Sequence, residues 1–380
     1  MHGGALMGYY QKNGSNCENF NRMKILVVGD GNSAIHEVAV VDAFQKLGHQ
    51  VEAFYWQTYF NSQNPLLRLW ERIQNKFIFG PILNKLNADL IISSVNFSPK
   101  FIFIYRGTHI TPHTIVEIKQ RLHDCVIFGY NNDDPFACGH PFWLWRHFLK
   151  SVPMYDLVFA YRNHNLDDFR RINAKRVELL RSWYIQDLNY SVTLSEIDKV
   201  KYGCDVVFIG HYENDRRLEY LEEIVRNGYK LRLFGPGYEW NSPLVKSMEL
   251  KHLVPVHLVW NEDYNKALCG AKIALCFFSK LNRDTYTRRC FEIPATGTLL
   301  LSEYSDDLAS LYQAGEEADF FKNKEEMIQK IKIYLGNYEI RRRVAENGNK
   351  RAIIDGHDIV SRMAKVLEFV TLINRERLKK

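Results

Sequence analysis

The residues best suited to chemistry lie between positions 282 and 297, where two carboxylates, Asp284 and Glu292, are separated by seven residues. Glu292 falls within an apolar helical stretch, and a carboxylate in such surroundings needs a partner. The vicinal hydroxyls of a ribose are one such partner, because they would donate two hydrogen bonds to the charged oxygen atoms. A helix pair with Arg288 or Arg289 is the plainer alternative.

A second polar group follows the apolar run at residues 125–130, where Asp133 and Asp134 stand in the segment N-N-D-D-P. Three interpretations are open: a divalent cation held together with a diphosphate, a turn before the proline, or contact of one Asp with a substrate hydroxyl. His109 and His113 are four residues apart, as in a metal pair, but no third ligand accompanies them. His109 is therefore interpreted as a polar residue at a strand end or as loop packing.

Two apolar runs end in a glycine that leads into a helix. The first is G-D-G-N-S-A at residues 29–34, which matches the dinucleotide pattern G-x-G-x-x-G/A. No acid ends the following strand, so a nicotinamide site is the weaker interpretation. The stronger one is a tight turn whose polar groups face a cleft, namely those of Gly31, Asn32, Ser33 and His36.

The second glycine is Gly210, followed by H-Y-E-N-D-R-R up to Arg217. Backbone amides at a helix N-terminus, together with guanidinium groups, suit a diphosphate. Two adjacent arginines on a solvated surface are the alternative. The candidates for this anion are Gly210, His211, Arg216 and Arg217.

Strands and helices must alternate to place these loops together. The pattern predicts strands at 24–29, 51–56, 90–93, 101–105, 125–130, 157–161 and 176–180, and then at 205–210, 230–234, 272–278 and 298–301. It predicts helices at 34–47, 65–87, 111–122, 216–227, 261–270, 288–296, 324–335 and 357–377. The fold class is therefore α/β, with two doubly wound Rossmann-like domains facing across a cleft.

The amino-acid composition limits the classes of protein to which the chain could belong. A chain of 380 residues with 46% hydrophobic and 25% charged residues is long enough for two globular cores. The net charge of +6 is mild and indicates no nucleic-acid binding. Seven cysteines without a C-x-x-C pair indicate reduced thiols in a cytoplasmic protein. The aromatic content of 13% exceeds what a core needs, and part of it is expected to line a cleft.

The second half of the chain resembles the C-terminal domain of GT-B glycosyltransferases, specifically the CgeB-like (spore-maturation type) group. The resemblance rests on R-x-F-E-I-P-A-x-G at 289–297, the later G-E-E from Gly315, K-E-E-M from Lys324 and R-R-R-V-A-E-N-G at 341–348. His357 and Arg362 complete it, and F-I-G at 208–210 extends it upstream. The first half matches only loosely.

The resemblance implies retaining transfer of a sugar from a nucleotide diphosphate-sugar to a glycan or other hydroxyl acceptor, without a metal or other cofactor. Related enzymes carry a Glu-x7-Glu pair in which the second Glu binds ribose, a role that falls on Glu292. The first contacts the donor sugar, and here it is the shorter Asp284. The phosphate-binding Arg and Lys of the relatives fall on His211 and Arg216. Asn282 and Arg289 join this donor set.

The resemblance also implies a division of labour along the chain. We expect a disordered leader at 1–22, an acceptor domain at 23–185, a linker at 186–201, a nucleotide-sugar domain at 202–356, and a helix at 357–380 that crosses back to the first domain. The acceptor face would comprise the 29–36 loop with His109, Asp133 and Asp134. Asp133, Asp134, His109 and Asp284 are the catalytic candidates.

A cytoplasmic protein is expected, with peripheral contact between its basic C-terminal tail and the inner membrane surface. Nucleic acid is not an expected partner. Two other function classes remain open. One is a nicotinamide-dependent oxidoreductase built on the Gly29 loop, and the other is a non-catalytic nucleotide- or sugar-binding scaffold.

Overall fold

The computed structural model describes residues 22–379 and contains two parallel sheets, which confirms the α/β fold class. The strands of the first half are β1 (Lys24–Gly29), β2 (Gln50–Tyr55), β3 (Phe101–Tyr105), β4 (Val126–Asn131), β5 (Leu157–Ala160) and β6 (Val177–Leu179). Its helices are α1 (Glu37–Lys46), α2 (Pro65–Phe77), α3 (Pro81–Phe97), α4 (Pro112–Arg121), α5 (Arg146–Ser151) and α6 (Asn163–Arg171). The strand order is β2-β1-β3-β4-β5-β6.

The second half has the strands β7 (Cys204–Ile209), β8 (Leu231–Phe234), β9 (Ala271–Cys276), β10 (Leu299–Glu303) and β11 (Asp319–Phe321) in the order β11-β10-β9-β7-β8. Its shorter helices are α7 (Glu196–Tyr202), α8 (Arg217–Arg226), α9 (Gly237–Val245), α10 (Asn261–Cys269), α11 (Arg289–Ala295) and α12 (Asp306–Ala309). The long helices α13 (Lys324–Gly336), α14 (Tyr338–Ile354) and α15 (Ile359–Leu378) follow.

Burial explains why the central strands are continuous apolar runs. Every residue of β3 and β4 is buried, because helices cover both faces of the sheet. The two strands pair in register from Phe101 opposite Val126 to Tyr105 opposite Tyr130. All strand pairs of both sheets are parallel, so the loops that follow the strands collect at one edge of each sheet.

The last helix, α15, packs on the first half of the chain, against α1. The Phe369 ring lies 5.7 Å from the Phe159 ring. Near the end of the helix, Arg377 donates a hydrogen bond to the Cys125 carbonyl oxygen at 3.2 Å and another to Asp156 at 2.9 Å. Part of the basic tail thus serves the packing of the fold.

The predicted strand at 90–93 is wrong, since these residues belong to α3. A short apolar run fits a buried strand or a buried helix equally well. The buried residues Leu83, Leu86, Leu90 and Phe97 are spaced as on one helix face. The helix predicted at 65–87 is two helices, because Gly80, with φ 96°, and Pro81 separate α2 from α3.

Further features differ from expectation. The elements that were not predicted are β11 and the helices α5, α6, α9, α12 and α14, and the expected linker at 186–201 includes most of α7. The expected leader lies outside the described residues apart from Arg22, and so does Cys17. Within residues 22–379, none of the helices combines the length and the apolar character needed to cross a membrane.

Candidate active site

An ion pair between Arg162 and Asp284 joins the two halves across the cleft. Arg162 follows β5 and is 1% exposed. Its Nε donates to Asp284 Oδ1 at 2.7 Å, and its Nη2 donates to the Asn132 carbonyl oxygen at 3.2 Å. Burial raises the pKa of the Asp284 carboxyl, while the Arg162 guanidinium acts in the opposite direction. The loop between β9 and α11 is thereby held against the carboxyl edge of the first sheet.

Asp134 is fully buried beside this ion pair and accepts four hydrogen bonds. The donors are Arg283 Nε at 2.7 Å, Asn165 Nδ2 at 3.0 Å, the Phe136 backbone nitrogen at 3.0 Å and, when protonated, His164 Nε2 at 3.3 Å. Burial alone would raise the pKa of Asp134, but the bonds from His164 and Arg283 hold it well below its usual range. Asp134 is therefore both a turn residue and a contact between the halves.

The same carboxylate belongs to the group of described residues that most resembles a metal site. Single ligand atoms of Asp134, His164 and Asp168 all lie within 4.8 Å of one another. Arg283 also lies among them, with its Nη2 at 3.2 Å from Asp168 Oδ2. Arg171 Nη1 lies 2.8 Å from the other oxygen of Asp168, so two guanidinium groups balance the two carboxylates, and a divalent ion would have to displace Arg283.

Asp133 and Asn282 bring together two of the predicted loops. Asp133 accepts a hydrogen bond from Arg106 Nη2 at 2.6 Å and a longer one from Asn282 Nδ2 at 3.5 Å. The Oδ1 atom of Asn282 accepts from the Asp134 backbone nitrogen at 3.2 Å and lies 3.1 Å from His140 Nε2. The acid loop and the 282–288 loop therefore form one polar surface.

The first glycine loop is closed by a side chain of its own helix. Glu37, in the first turn of α1, accepts from the Gly31 nitrogen at 2.8 Å and the Ser33 nitrogen at 3.4 Å. A Cβ atom on Gly31 would stand 2.7 Å from Tyr55. The carboxylate takes the place that a phosphate takes in dinucleotide loops. Asn32 stays exposed at the tip of the loop.

The environment of Glu37 favours its protonated form. Burial raises its pKa to about 7, and its hydrogen bond to Asp30 acts in the same direction. A shift of this kind makes the stability of the fold depend on pH, because the unfolded chain releases the proton at a lower pH than the folded chain.

The two predicted histidines of the first half are both neutral at pH 7. His36 stacks on Tyr105 with the ring centroids 5.5 Å apart, and burial together with neighbouring arginines lowers its pKa to about 4. His109 is buried against Trp56, with the ring centroids also 5.5 Å apart, and burial lowers its pKa to about 4. His36 lies on the polar loop, whereas His109 packs inside the first half.

Glu292 is buried on α11 and is held from both sides. It accepts a hydrogen bond from the Tyr264 hydroxyl at 2.7 Å and pairs with Arg288, one helical turn earlier. Arg288 also donates from Nη1 to the Ile35 carbonyl oxygen of the first half at 2.5 Å. The helix pair expected as the plainer alternative is present, and it links the carboxylate to the glycine loop.

Arg289 stands at the carboxyl end of β7. A Cβ atom on Gly210 would lie 3.4 Å from the guanidinium carbon of Arg289. The Nε atom of Arg289 is buried and has no hydrogen-bond partner within residues 22–379. Its positive charge lowers the pKa of Tyr264, against the larger upward effects of burial and Glu292. Arg289 and Glu292 therefore share one neighbourhood.

The other cations near Gly210 are less available. Arg217 is buried, donates to both carboxylate oxygens of Asp215, and donates to the His211 carbonyl oxygen at 2.6 Å. The Arg216 side chain is 73% exposed. The exposed His211 ring lies 3.1 Å from Glu239. Arg217 thus shapes the loop, while Arg216 and His211 stand at its rim.

Sequence reasoning missed Arg162, Arg283 and Tyr264 as residues of this region. Nothing in the local pattern marks them, because their partners lie far away along the chain. Glu37 did carry a signal, since an acid in the first turn after a glycine loop is placed to accept the loop's own amide hydrogens.

Comparisons with known proteins agree with this geometry. A family model described as "Glycosyl transferase-like" matches residues 216–368. No curated protein matches the chain significantly. Residues 216–368 include α11 and the Arg289–Glu292 neighbourhood, whereas the donor-side candidates Gly210 and His211 lie just before the matched part.

Solved structures match over nearly the whole chain. HepE from Anabaena, solved with UDP-glucose, is 12% identical, with a TM-score of 0.64, and the match covers 92% of this chain and 100% of HepE. Sucrose-phosphate synthase from Thermosynechococcus elongatus is 13% identical, with a TM-score of 0.66 and coverage of 93% and 100%. A glycosyltransferase from Rickettsia africae is 12% identical, with a TM-score of 0.64 and coverage of 93% and 99%. The chain has the GT-B fold.

Breaking the ion pair between the halves should be costly. We expect Asp284→Asn to lower the free energy of unfolding by about 3–5 kcal/mol, because it leaves the buried Arg162 guanidinium without a counter-charge. The double variant Arg162→Met/Asp284→Leu should recover most of that loss, since it removes both charges. Urea unfolding at pH 7 measures both changes.

The matched control is Asp187→Asn, which breaks the exposed pair with Lys46. It should change the free energy of unfolding by less than about 1 kcal/mol. Equal effects of Asp284→Asn and Asp187→Asn would show that the buried pair does not hold the halves together.

Glu37→Gln should change how stability depends on pH. Wild type loses stability as the pH rises from about 4.5 to 7, where only the unfolded chain releases the proton. Glutamine keeps an acceptor oxygen without titrating, so the variant should gain about 2–3 kcal/mol on wild type between pH 5 and pH 8. Urea unfolding across this range, with the exposed Glu219→Gln as control, measures the effect. A difference that stays constant with pH would contradict the pKa assignment.

Proposed function

We propose that this protein is a glycosyltransferase that moves a sugar from a nucleoside diphosphate-sugar to a hydroxyl acceptor. The observation that carries the proposal is the pair formed by Arg289 and Glu292 at the edge of the second sheet. One offers a buried guanidinium nitrogen without a partner, and the other a buried carboxylate. A nucleoside diphosphate presents the complementary groups, namely anionic phosphates and vicinal ribose hydroxyls.

The donor would bind with its diphosphate against Gly210 and Arg289. A charge-assisted hydrogen bond from a buried guanidinium is stronger than one from an exposed side chain. The ribose hydroxyls would donate to Glu292, in exchange for part of its present contact with Arg288. His211 and Arg216 at the rim would add positive charge, and Asn282 and Asp284 would face the sugar after the cleft adjusts.

The acceptor would approach from the first half. Its polar loop offers Asn32, Ser33 and the neutral His36, and the acid loop offers Asp133. The neutral imidazole of His36 has the capacity to accept a hydrogen bond from a hydroxyl. His109 would act at most through packing, because it is buried against Trp56.

We infer that transfer is retaining and needs no metal. The leaving diphosphate would be stabilised by Arg289 and by backbone amides near Gly210, as preorganised donors stabilise developing charge. Support for metal independence comes from Arg283, which fills the acidic cluster around Asp134 with a guanidinium group. The acceptor oxygen would attack the anomeric carbon from the face that the diphosphate leaves, so the configuration would be retained, and the departing phosphate oxygen would take up the hydroxyl proton. Membership of the CgeB-like group and a hexosyl donor belong to this proposal as well.

The two rival functions make different predictions. A nicotinamide-dependent oxidoreductase would need the amides of the Gly29 loop, but Glu37 holds those of Gly31 and Ser33. A non-catalytic scaffold would bind the donor without hydrolysing it. A thermal-shift comparison of UDP, GDP and dTDP with NADH and NADPH tests the oxidoreductase, which NADH or NADPH should stabilise. Slow hydrolysis of the donor would distinguish an enzyme from the non-catalytic scaffold.

Removing the carboxylate of Glu292 should weaken nucleotide binding. We expect Glu292→Ala to lower the affinity for the nucleoside diphosphate found in that comparison by about 10–100-fold, because hydrogen bonds to a charged group are each worth about 1.5–3 kcal/mol. Arg289→Met should lower it by a similar factor. Isothermal titration measures both.

Two matched variants serve as controls for this result. Glu339→Ala removes an exposed carboxylate from α14 whose ion-pair partner, Arg342, is not a donor-binding candidate, and it should leave affinity unchanged. Glu292→Gln keeps an acceptor for Tyr264 and shows whether a fold defect explains the alanine result. Unchanged affinity in folded Glu292→Ala protein would refute the ribose contact.

Metal removal should leave transfer intact. We expect an excess of EDTA to change the rate of sugar transfer by less than about twofold, because Arg283 supplies the positive charge beside Asp134. Donor consumption in the presence of EDTA, and again after adding Mg²⁺, measures this. Complete loss that Mg²⁺ reverses would instead establish a metal-dependent reaction.

A further inference from the structure

Helix α2 turns its apolar side away from the protein. Leu66 is 81% exposed and Trp70 is 45% exposed, whereas Gln74 is the buried residue of this helix. A surface helix of a globular protein normally buries its apolar stripe and exposes its polar side. The reversal is a property of the sequence, since Leu66, Trp70 and Phe77 recur at helical spacing on the outer side.

Polar side chains attach the helix to the first half. Gln74 Oε1 accepts from the Ile82 nitrogen at 3.0 Å, and Glu71 accepts from the Ser62 nitrogen at 2.9 Å. Asn75 donates to Gln57 at 3.4 Å. Because these hydrogen bonds hold α2 in place, its exposed apolar side chains are not required for its attachment.

Aromatic rings from a neighbouring loop extend this apolar surface. Phe77 lies 5.3 Å from Trp143, and Trp143 lies 5.2 Å from Phe142, which is 86% exposed. Trp143 Nε1 donates to the Lys76 carbonyl oxygen at 3.0 Å and fixes the loop on the helix. We call this surface the α2 face, formed by Leu66, Leu69, Trp70, Phe77, Phe79 and Phe142.

A row of positive charge borders the α2 face. Arg68, Arg72 and Lys76 are spaced four residues apart, so they lie along one side of the helix, and all three are exposed. Glu71 is the single acid of α2, and it is engaged with Ser62. Exposed leucine and tryptophan side chains beside a row of basic residues are typical of helices that lie in a lipid interface.

We propose that the α2 face docks on the surface of an anionic lipid bilayer. Leucine and aromatic side chains would enter the boundary of headgroups and acyl chains, and the basic row would lie over anionic headgroups. A protein partner would gain little from a helix flanked by three like charges unless it were itself acidic. This docking needs no nucleotide, so it goes beyond the proposed sugar transfer. The two proposals can therefore be tested independently.

This placement differs from the basic tail expected to contact the membrane. Arg377 at the end of α15 is engaged with Asp156 and the Cys125 carbonyl oxygen. The tail therefore offers less free positive charge than its sequence suggests. The loop that carries Phe142 also reaches the polar surface of the cleft, because His140 Nε2 lies 3.1 Å from Asn282 Oδ1.

Sedimentation of the full-length protein with vesicles tests the proposal. The probes are phosphatidylcholine vesicles, alone or with phosphatidylglycerol as about one third of the lipid. We expect wild type to bind the anionic vesicles. Leu66→Ser/Leu69→Ser/Trp70→Ser should bind them at least about tenfold more weakly, because it removes the inserting side chains. Arg68→Glu/Arg72→Glu should weaken binding by a similar factor, and salt should weaken wild-type binding.

The matched control is Ile353→Ser/Ile354→Ser, which removes two exposed apolar side chains from α14. It should bind like wild type, and all variants should keep the thermal midpoint and the donor hydrolysis of wild type. No wild-type binding to anionic vesicles, or equal binding by the α2 variant, would overturn the proposal. So would loss of binding only in Lys379→Glu/Lys380→Glu, which would assign it to the tail. A wild-type dimer that the α2 variant dissociates, without vesicle binding, would assign the face to a second copy.

Discussion

The buried contact between Arg162 and Asp284 is the constraint on which the cleft depends. A guanidinium that is almost fully buried costs several kcal/mol unless a carboxylate balances it, and here the carboxylate comes from the other half of the chain. The loop that carries Asp284 must therefore rest on the first sheet. The ring of Tyr286, 4.7 Å from that of Tyr161, follows from the same placement. Opening of the cleft would expose these groups to water together, so this loop couples the two halves in addition to the packing of α15 on α1.

The two halves differ in whether the protein's own side chains already fill the places that could bind an anion or a metal ion. In the first half, Glu37 fills the glycine loop and Arg283, reaching over from the second half, fills the acidic cluster around Asp134. Both places are neutralised by the protein itself, which leaves little free energy for an external phosphate or metal ion. At the edge of the second sheet, Arg289 keeps a buried nitrogen without a partner among the described residues. An anionic ligand gains most where the protein has not already balanced the charge.

The sequence predicted the sheets well because the signal for a buried parallel strand is local. The apolar run of β1 is rich in β-branched residues and ends in glycine, and this combination favours a strand. The run at 90–93 failed because four apolar or small residues do not distinguish a strand from one turn of a buried helix. The donor-side candidates Arg289 and Glu292 were identified from resemblance and burial. Their neighbours Arg162 and Tyr264 were not, since an ion pair or a hydrogen bond across the cleft leaves no periodic pattern in either segment.

Three arginines could be assigned to the diphosphate from sequence. Their burial and their existing partners indicate which of them is best placed to bind it. Arg217 is buried but fully engaged with Asp215, so binding a phosphate would break contacts that already exist. Arg216 is exposed and pairs with Glu219, and solvent and salt reduce the value of its charge. Arg289 combines partial burial with an unsatisfied Nε beside Gly210, where the backbone can approach a ligand without a side chain between them. Burial without a partner is unfavourable for the protein alone, and an anion at this position would remove that cost, so the geometry favours Arg289 over its neighbours.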